Sequence, residues 1–227
     1  MARRREEMVV MDKNTVKEAL KQAKESSKQR KFKQTIDLII NLRGLNLKKT
    51  EQQVEAFVGL HYPKGKKVRV AAFVGPELKE EADKVCDTTV FSDDFEKYQK
   101  DKKLTKKLAQ EHDFFIAQAN IMPKVAQTFG KVLGTRGKMP NPKAGCVVPP
   151  KTQLTPLYDR LQKLVVAKAK EQMSIKAVVG SEDQNEDEVI DNILTLYNAI
   201  LHKLPQEDQN IKTVLVKLTM GKPVEVK

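Results

Sequence analysis

HYPKGKKVRVAAFVG, His61–Gly75, is where the chain changes style. Before it, Ile36, Leu38, Ile40 and Leu42 alternate with Asp37, Ile39 and Asn41, and Val54, Ala56, Val58 and Leu60 alternate again, which is the period of strands with one buried face. Pro63 and Gly65 interrupt that pattern and mark a hinge. After them VRVAAFVG (Val68–Gly75) is a largely apolar strand, and PELKEEADKVC a helix opened by Pro76. TTVFS (Thr88–Ser92) reads as a strand, Asp93–Glu111 as one charged helix, DFFIAQA (Asp113–Ala119) as a strand and Ile121–Leu133 as a helix. Strands alternating with helices predict parallel βαβ units with right-handed connections, hence a small Rossmann-like α/β domain.

The first style appears on both sides of this section. Upstream, Asp12 is a candidate N-cap for a helix with Val16, Ala19, Leu20 and Ala23 on one face and Lys17, Lys21, Lys24 and Lys28 elsewhere. Downstream, Leu157, Leu161, Leu164 and Val165 form a helical stripe, and Met173, Ile175, Ala177 and Val179 alternate as a strand. Asn185–Leu204 places Val189, Ile193, Leu196, Ile200 and Leu204 on one helix face, with acids in the first turn where the macrodipole favours them. Ile211–Met220 closes the chain as a strand. The expected fold class is therefore α+β combined with α/β in two domains. Residues 1–67 and 157–227 form a split α+β domain, and residues 68–156 an inserted Rossmann-like domain.

The net charge of +12 on 227 residues is unevenly spread. Met1–Lys67 holds 17 basic against 8 acidic residues, whereas Leu157–Lys227 holds 10 against 11. Such an asymmetry suits a polyanionic partner, because each neutralised phosphate releases condensed counterions; a solvated lysine surface is the plainer explanation. Cys86 and Cys146 belong to no CxxC pair, so neither a zinc ribbon nor a disulfide framework is expected, and a reducing cytosol fits. No apolar run approaches the roughly 20 residues needed to cross a bilayer. Met1–Asp12 opens with Arg3–Arg5 but has neither the long apolar segment nor the cleavage site of a signal peptide. Met8 and Met11 offer alternative starts.

Catalytic motifs are missing where they would be looked for. GTRGKMPNPKAGCVVPP (Gly134–Pro150) is a shaped basic loop, but it lacks the Walker A spacing and follows a helix instead of a strand. The first strand of the inserted section ends in Gly75–Pro76 without GxGxxG. His61, His112 and His202 lie in unrelated contexts, with no GxSxG and no HExxH; His112 reads as a helix-end residue. SEDQNEDE (Ser181–Glu188) has the acid density of a metal site but not the spacing of a calcium loop, and reads as a helix N-terminus. No catalytic residue, metal or cofactor is expected.

A different surface suits RNA. Lys31 and Phe32 precede Thr35 and Asp37 on the first strand. Thr213, Leu215, Lys217 and Thr219 share one face of the last strand, opposite Val214, Val216 and Leu218, and that strand runs out at Met220–Gly221. Short polar side chains leave a flat face on which RNA 2′-hydroxyls and phosphates can approach donors and acceptors. Phe32 can stack or shield, and Lys31 can take a phosphate.

KFKQTID (Lys31–Asp37), HDFFIAQANIMP (His112–Pro123), GTRGKMPNPK (Gly134–Lys143) and LTMGKPV (Leu218–Val224), in this order and at these spacings, resemble the ribosomal L-one family, the stalk proteins of the large subunit. The likeness is to the archaeal and eukaryotic branch, with the archaeal form preferred. It implies a fold of two domains, the first built from both chain ends and the second an inserted Rossmann-like unit. It also implies an RNA site at Lys31, Phe32, Thr35, Asp37, Thr219, Met220 and Gly221, with Thr213 where the family has serine, and secondary contacts at Arg136, Lys138 and Lys143. The implied function is that of a structural constituent of the large subunit. Such a protein binds large-subunit rRNA, forms the mobile stalk near the tRNA exit site, and in some members represses translation of its own mRNA. The implied partners are that rRNA, exit-site tRNA and the protein's own mRNA; no membrane is expected, and the protein off the ribosome is expected to be a cytoplasmic monomer. Two rival readings remain: a Rossmann-like enzyme acting on phosphate-containing substrates, and a non-ribosomal RNA-binding regulator sharing the same site.

Overall fold

The computed structural model describes residues 11–49 and 52–226, so the basic leader with Arg3–Arg5 and Met8 lies outside the described residues. Up to Lys66 the chain forms α1 (Lys13–Glu25), β1 (Thr35–Leu42) and β2 (Val54–Gly59). The inserted section follows with β3 (Val70–Val74), α2 (Lys79–Val85), β4 (Thr88–Phe91), α3 (Phe95–Lys100), α4 (Lys102–Glu111), β5 (Phe114–Gln118), α5 (Met122–Thr135), β6 (Val147–Val148) and α6 (Thr155–Lys163). The chain then returns through β7 (Leu164–Ala169), β8 (Ser174–Ser181), α7 (Glu186–Leu201), β9 (Ile211–Leu218) and β10 (Val224–Glu225). These elements divide into two compact units, one running to Lys66 and resuming at Lys163, the other Lys67–Gln162.

The inserted unit is a parallel sheet in the order β4-β3-β5-β6. Every residue of β3 is buried, which explains its unbroken apolar run. Phe73 stacks on Phe115 with ring centroids 5.6 Å apart and packs 4.6 Å from Phe129 of α5. The stretch expected as one charged helix is two, because the Asp101 carboxylate accepts the Lys103 N–H at 2.8 Å and starts a new helix there. The unit boundary lies one helix later than Pro156. Gln162 at the end of α6 exchanges two hydrogen bonds of 2.9 Å with the backbone of Val68, and Leu154 N donates to Glu81 at 2.6 Å.

The terminal unit holds an antiparallel sheet, β10-β9-β1-β8, and a two-stranded ribbon, β2-β7. β7 corrects the expected helical stripe: α6 stops at Lys163, and Leu164 and Val165 belong to a strand paired with β2. The pairing buries Val165, Ala167 and Ala169 on a single face, a tertiary reward that local periodicity does not reveal. The core gathers Ile36, Leu38 and Ile40 of β1 with Val214, Val216 and Leu218 of β9, covered by Val16 and Leu20 of α1 and by Ile193 and Leu196 of α7. Each such side chain contributes about 1.5–3 kcal/mol on burial.

The chain leaves and re-enters this unit at one place, since Gly59 pairs with Leu164 and Leu60 N donates to Lys163 O at 2.9 Å. In the His61–Lys67 segment, expected as a hinge, Tyr62, Pro63 and Gly65 are fastened to the terminal unit. Fully buried Asn192 accepts from Tyr62 N at 3.1 Å and donates to Tyr62 O at 3.2 Å and Val179 O at 2.9 Å. Gln184 donates to Pro63 O at 2.6 Å, and Gly65, at φ +82°, lies where a Cβ would stand 2.3 Å from Ser181 Cβ. We expect Asn192→Leu, which keeps the branched shape and heavy-atom count but orphans both polar groups of Tyr62, to cost about 2–4 kcal/mol in urea unfolding; a loss below about 1 kcal/mol would mean that water replaces the clamp.

Candidate nucleic-acid interface

β1 and β9 lie side by side with Ile36 opposite Leu218, so Thr219, the first residue past the ladder, falls against Thr35. Thr35 N donates to Thr219 Oγ1 at 3.0 Å, Thr219 N to Thr35 O at 3.0 Å, and the two hydroxyls stand 2.9 Å apart. The next row on this half-exposed face pairs Asp37 with Lys217, then Ile39 with Leu215, then Asn41 with Thr213. Asn41 donates to the Thr213 hydroxyl at 2.8 Å. Thr213 therefore shares the face with Thr219 but sits six residues down the strand, about 20 Å away at a strand rise of ~3.4 Å per residue. A ligand touching both must lie along the strand.

Desolvation holds the Asp37 carboxyl above its ordinary range, against the opposing pull of Lys217 and a hydrogen bond from Thr35. At the same end of the sheet Phe32 is 52% and Met220 60% exposed, the two most exposed large apolar side chains among the described residues. Gly221 N closes a turn on Leu218 O at 2.9 Å, and a Cβ at Gly221 would meet Leu218 Cβ at 3.2 Å, so the turn is tight. Lys31 is exposed beside Phe32. Lys33, which no sequence pattern singled out, pairs with Asp183 at 2.6 Å. Lys217 and Asn41 complete the face. Alternation puts Lys217 beside Thr219, but only the register of β1 on β9 puts it beside Asp37.

The secondary candidates divide. GTRGK is a helix ending, in which Gly137 at φ +63° lets its own N–H reach Gly134 O at 3.0 Å and lets Lys138 N reach Leu133 O at 2.9 Å. Arg136, at the cap, and Lys143 are exposed. The Lys138 ammonium instead donates to Ala109 O at 3.0 Å and His112 O at 2.6 Å, neutralising the carbonyl end of α4. Its pKa is lowered by desolvation. The ammonium is thus engaged by backbone carbonyls of its own unit. His112 is likewise a buried helix-end residue, within 3.0 Å of Leu108 O and 2.9 Å of the Thr88 hydroxyl.

In a parallel sheet a ligand enters the crevice where the strand order reverses, here between the carboxyl ends of β3 and β5. Gln118, 2% exposed, occupies it: its Oε1 accepts Gly75 N at 2.8 Å and its Nε2 donates to Glu77 at 3.2 Å. Burial pushes both thiols, Cys86 and Cys146, up to about 11, away from nucleophilic use at neutral pH. Among the described residues no helix is long and apolar enough to cross a membrane.

The molecule thus carries an exposed sheet face with paired hydroxyls in one unit and, in the other, a crevice into which the Gln118 side chain is hydrogen-bonded. The model of the ribosomal protein L1p/L10e family matches residues 19–222. Large ribosomal subunit protein uL1 of Methanothermococcus thermolithotrophicus is 38% identical over 216 residues, covering 95% of this chain and 99% of the relative. The proteins of the same name from Nanoarchaeum equitans and Methanobrevibacter smithii are each 39% identical, covering 91% and 93% of this chain and 97% and 98% of their own lengths. The chain belongs to the ribosomal protein L1p/L10e family and is archaeal-like within it. Membership places it among structural ribosomal proteins, which removes the enzymatic reading.

A carboxyl whose folded pKa is raised contributes stability that is complete below the unfolded value and lost as pH rises through the folded one. Asp37→Asn should therefore be the more stable protein at pH 7, with the advantage fading below about pH 4; thermal midpoints of both proteins across pH check the sign. Lys138→Met should cost about 1 kcal/mol of stability and leave the salt slope of RNA binding as in the parent. A shallower slope would restore Lys138 as a phosphate contact.

Proposed function

We propose that this protein is a constituent of the large ribosomal subunit that binds large-subunit rRNA directly, through the exposed face of β1 and β9 around Thr35 and Thr219. The observation that carries this reading is the hydroxyl pair 2.9 Å apart at the end of the half-exposed face of β1 and β9, flanked by exposed Phe32 and Met220. Hydroxyls at this height meet 2′-hydroxyls and phosphate oxygens, and the two apolar side chains exclude water from those bonds. Lys31 supplies a phosphate contact and Phe32 a stacking surface. Burial holds the Asp37 carboxyl above its ordinary pKa, against the pull of Lys217 and Thr35. A half-buried acceptor with a perturbed pKa on this face fits recognition.

The same face serves the narrower roles that the family resemblance implies: forming the mobile stalk near the tRNA exit site and, with a similar RNA structure in the protein's own mRNA, repressing translation. Arg136 and Lys143 add weaker, salt-sensitive contacts from the inserted unit.

The test compares binding to a transcript of the large-subunit stalk segment with binding to an unrelated structured RNA, at several salt concentrations. The wild type should prefer the stalk transcript in a way that survives added salt. Thr219→Ala should lose about tenfold in that preference, and Met220→Asp about a hundredfold, from a lost hydrogen bond and a buried charge respectively. Their circular dichroism should be unchanged. Equal, salt-sensitive affinity of all three proteins for both RNAs would reduce the interaction to non-specific charge attraction.

A further inference from the structure

Gln34, the residue just before β1, is 1% exposed and touches the segments that follow β9 and β8. Its Oε1 accepts the Met220 N–H at 3.2 Å, and its backbone carbonyl accepts the Glu182 N–H at 2.9 Å. Its Nε2 has no partner, the one buried side-chain polar atom in that condition among the described residues. The carboxamide cannot turn over to relieve this, because Nε2 would then face the Met220 N–H, donor against donor. A buried donor without a partner destabilises the free protein, and an apolar side chain of the same length would avoid that cost. That cost offsets what the Oε1 bond to Met220 N contributes, so the free protein gains little net stability from a glutamine here.

What the glutamine does is hold the turn. Thr219 N is held by Thr35 O and Gly221 N by Leu218 O; Met220 N, between them, is held by Gln34 alone among the hydrogen bonds of this turn. We propose that Gln34 is a positioning residue for RNA recognition, fixing the Met220 backbone so that Thr219, Met220 and Gly221 meet the RNA already ordered. Resting on the RNA-binding reading above, the proposal adds the device that pre-organises the site. A turn ordered before binding forfeits less conformational freedom when the ligand arrives, and the gain appears in affinity for the matching RNA, not in stability. The backbone of Gln34 ties the same point to Glu182, next to the Asp183 that pairs with Lys33, so three chain segments meet at this residue.

The full chain carrying Gln34→Met tests this, since methionine keeps the length and removes both polar ends. The expected thermal midpoint is no lower than that of the wild type. Amide exchange measured by NMR should quicken at Met220 and Gly221 and stay slow at Val214 and Val216 of β9. Affinity for the stalk transcript should fall about tenfold, affinity for the unrelated RNA should hold, and the salt slope should not change, because no phosphate contact is removed. Gln34→Glu, which keeps an acceptor for Met220, should restore slow exchange at that amide. Undiminished preference for the stalk transcript in Gln34→Met overturns the proposal. So does a parallel loss on both RNAs with a lowered midpoint, the mark of a merely structural residue. A wild type that shows no preference overturns the RNA-binding reading itself and takes this proposal with it.

Discussion

The antiparallel pairing of β1 with β9 joins residues 35–42 to residues 211–218, across almost the whole length of the chain. It closes the terminal core, because the inward side chains of the two strands need each other and the helices α1 and α7 to leave water. It sets the surface too: with the register fixed at Ile36 opposite Leu218, Thr35 must meet Thr219 and Asp37 must meet Lys217. A one-residue slip would turn every polar side chain of that face into the core, so the buried face holds the exposed one in place.

So distant a pairing is tolerable because the intervening section closes on itself. The β2-β7 ribbon brings the points of departure and return together at Leu60 and Lys163, and everything between Lys67 and Gln162 has its own sheet and its own aromatic core. Loop-closure entropy grows only with the logarithm of loop length, and a folded insertion with adjacent ends adds little to it. The clamp of Asn192 on Tyr62 extends this fastening past the ribbon. The polar groups of the molecule sort by the same logic. Gln118 and Lys138 spend their hydrogen bonds inside the fold, whereas Thr35, Thr219 and Asp37 keep theirs at a surface that water or a ligand can reach.

Where a segment is amphipathic and long, its sequence told its structure: α1, β1, α5, α7 and β9 follow their periodicities closely. Shorter readings failed for identifiable reasons. Asp93–Glu111 kept a helical pattern through Asp101, and the capping carboxylate that divides it is visible only once the turn exists. Leu164 and Val165 continued the stripe of α6, but a strand partner in β2 outweighed local preference. At Gly134–Lys138, where spacing had already argued against a phosphate loop, the glycines serve a left-handed helix ending.

The amino-acid sequence by itself determined the two styles of architecture, the alternation that sets a polar face on β1 and on β9, and the motifs that tie the chain to its family. These are local properties, carried by spacing along one strand or one helix. The tertiary structure alone decided which polar residues became neighbours: Thr35 with Thr219, Asp37 with Lys217, the Gln34 side chain with the Met220 amide, and the Lys138 ammonium with the end of α4. The physical reason is that register and burial arise from contacts between segments far apart in the chain, and no periodicity within a segment records the partner that segment will meet.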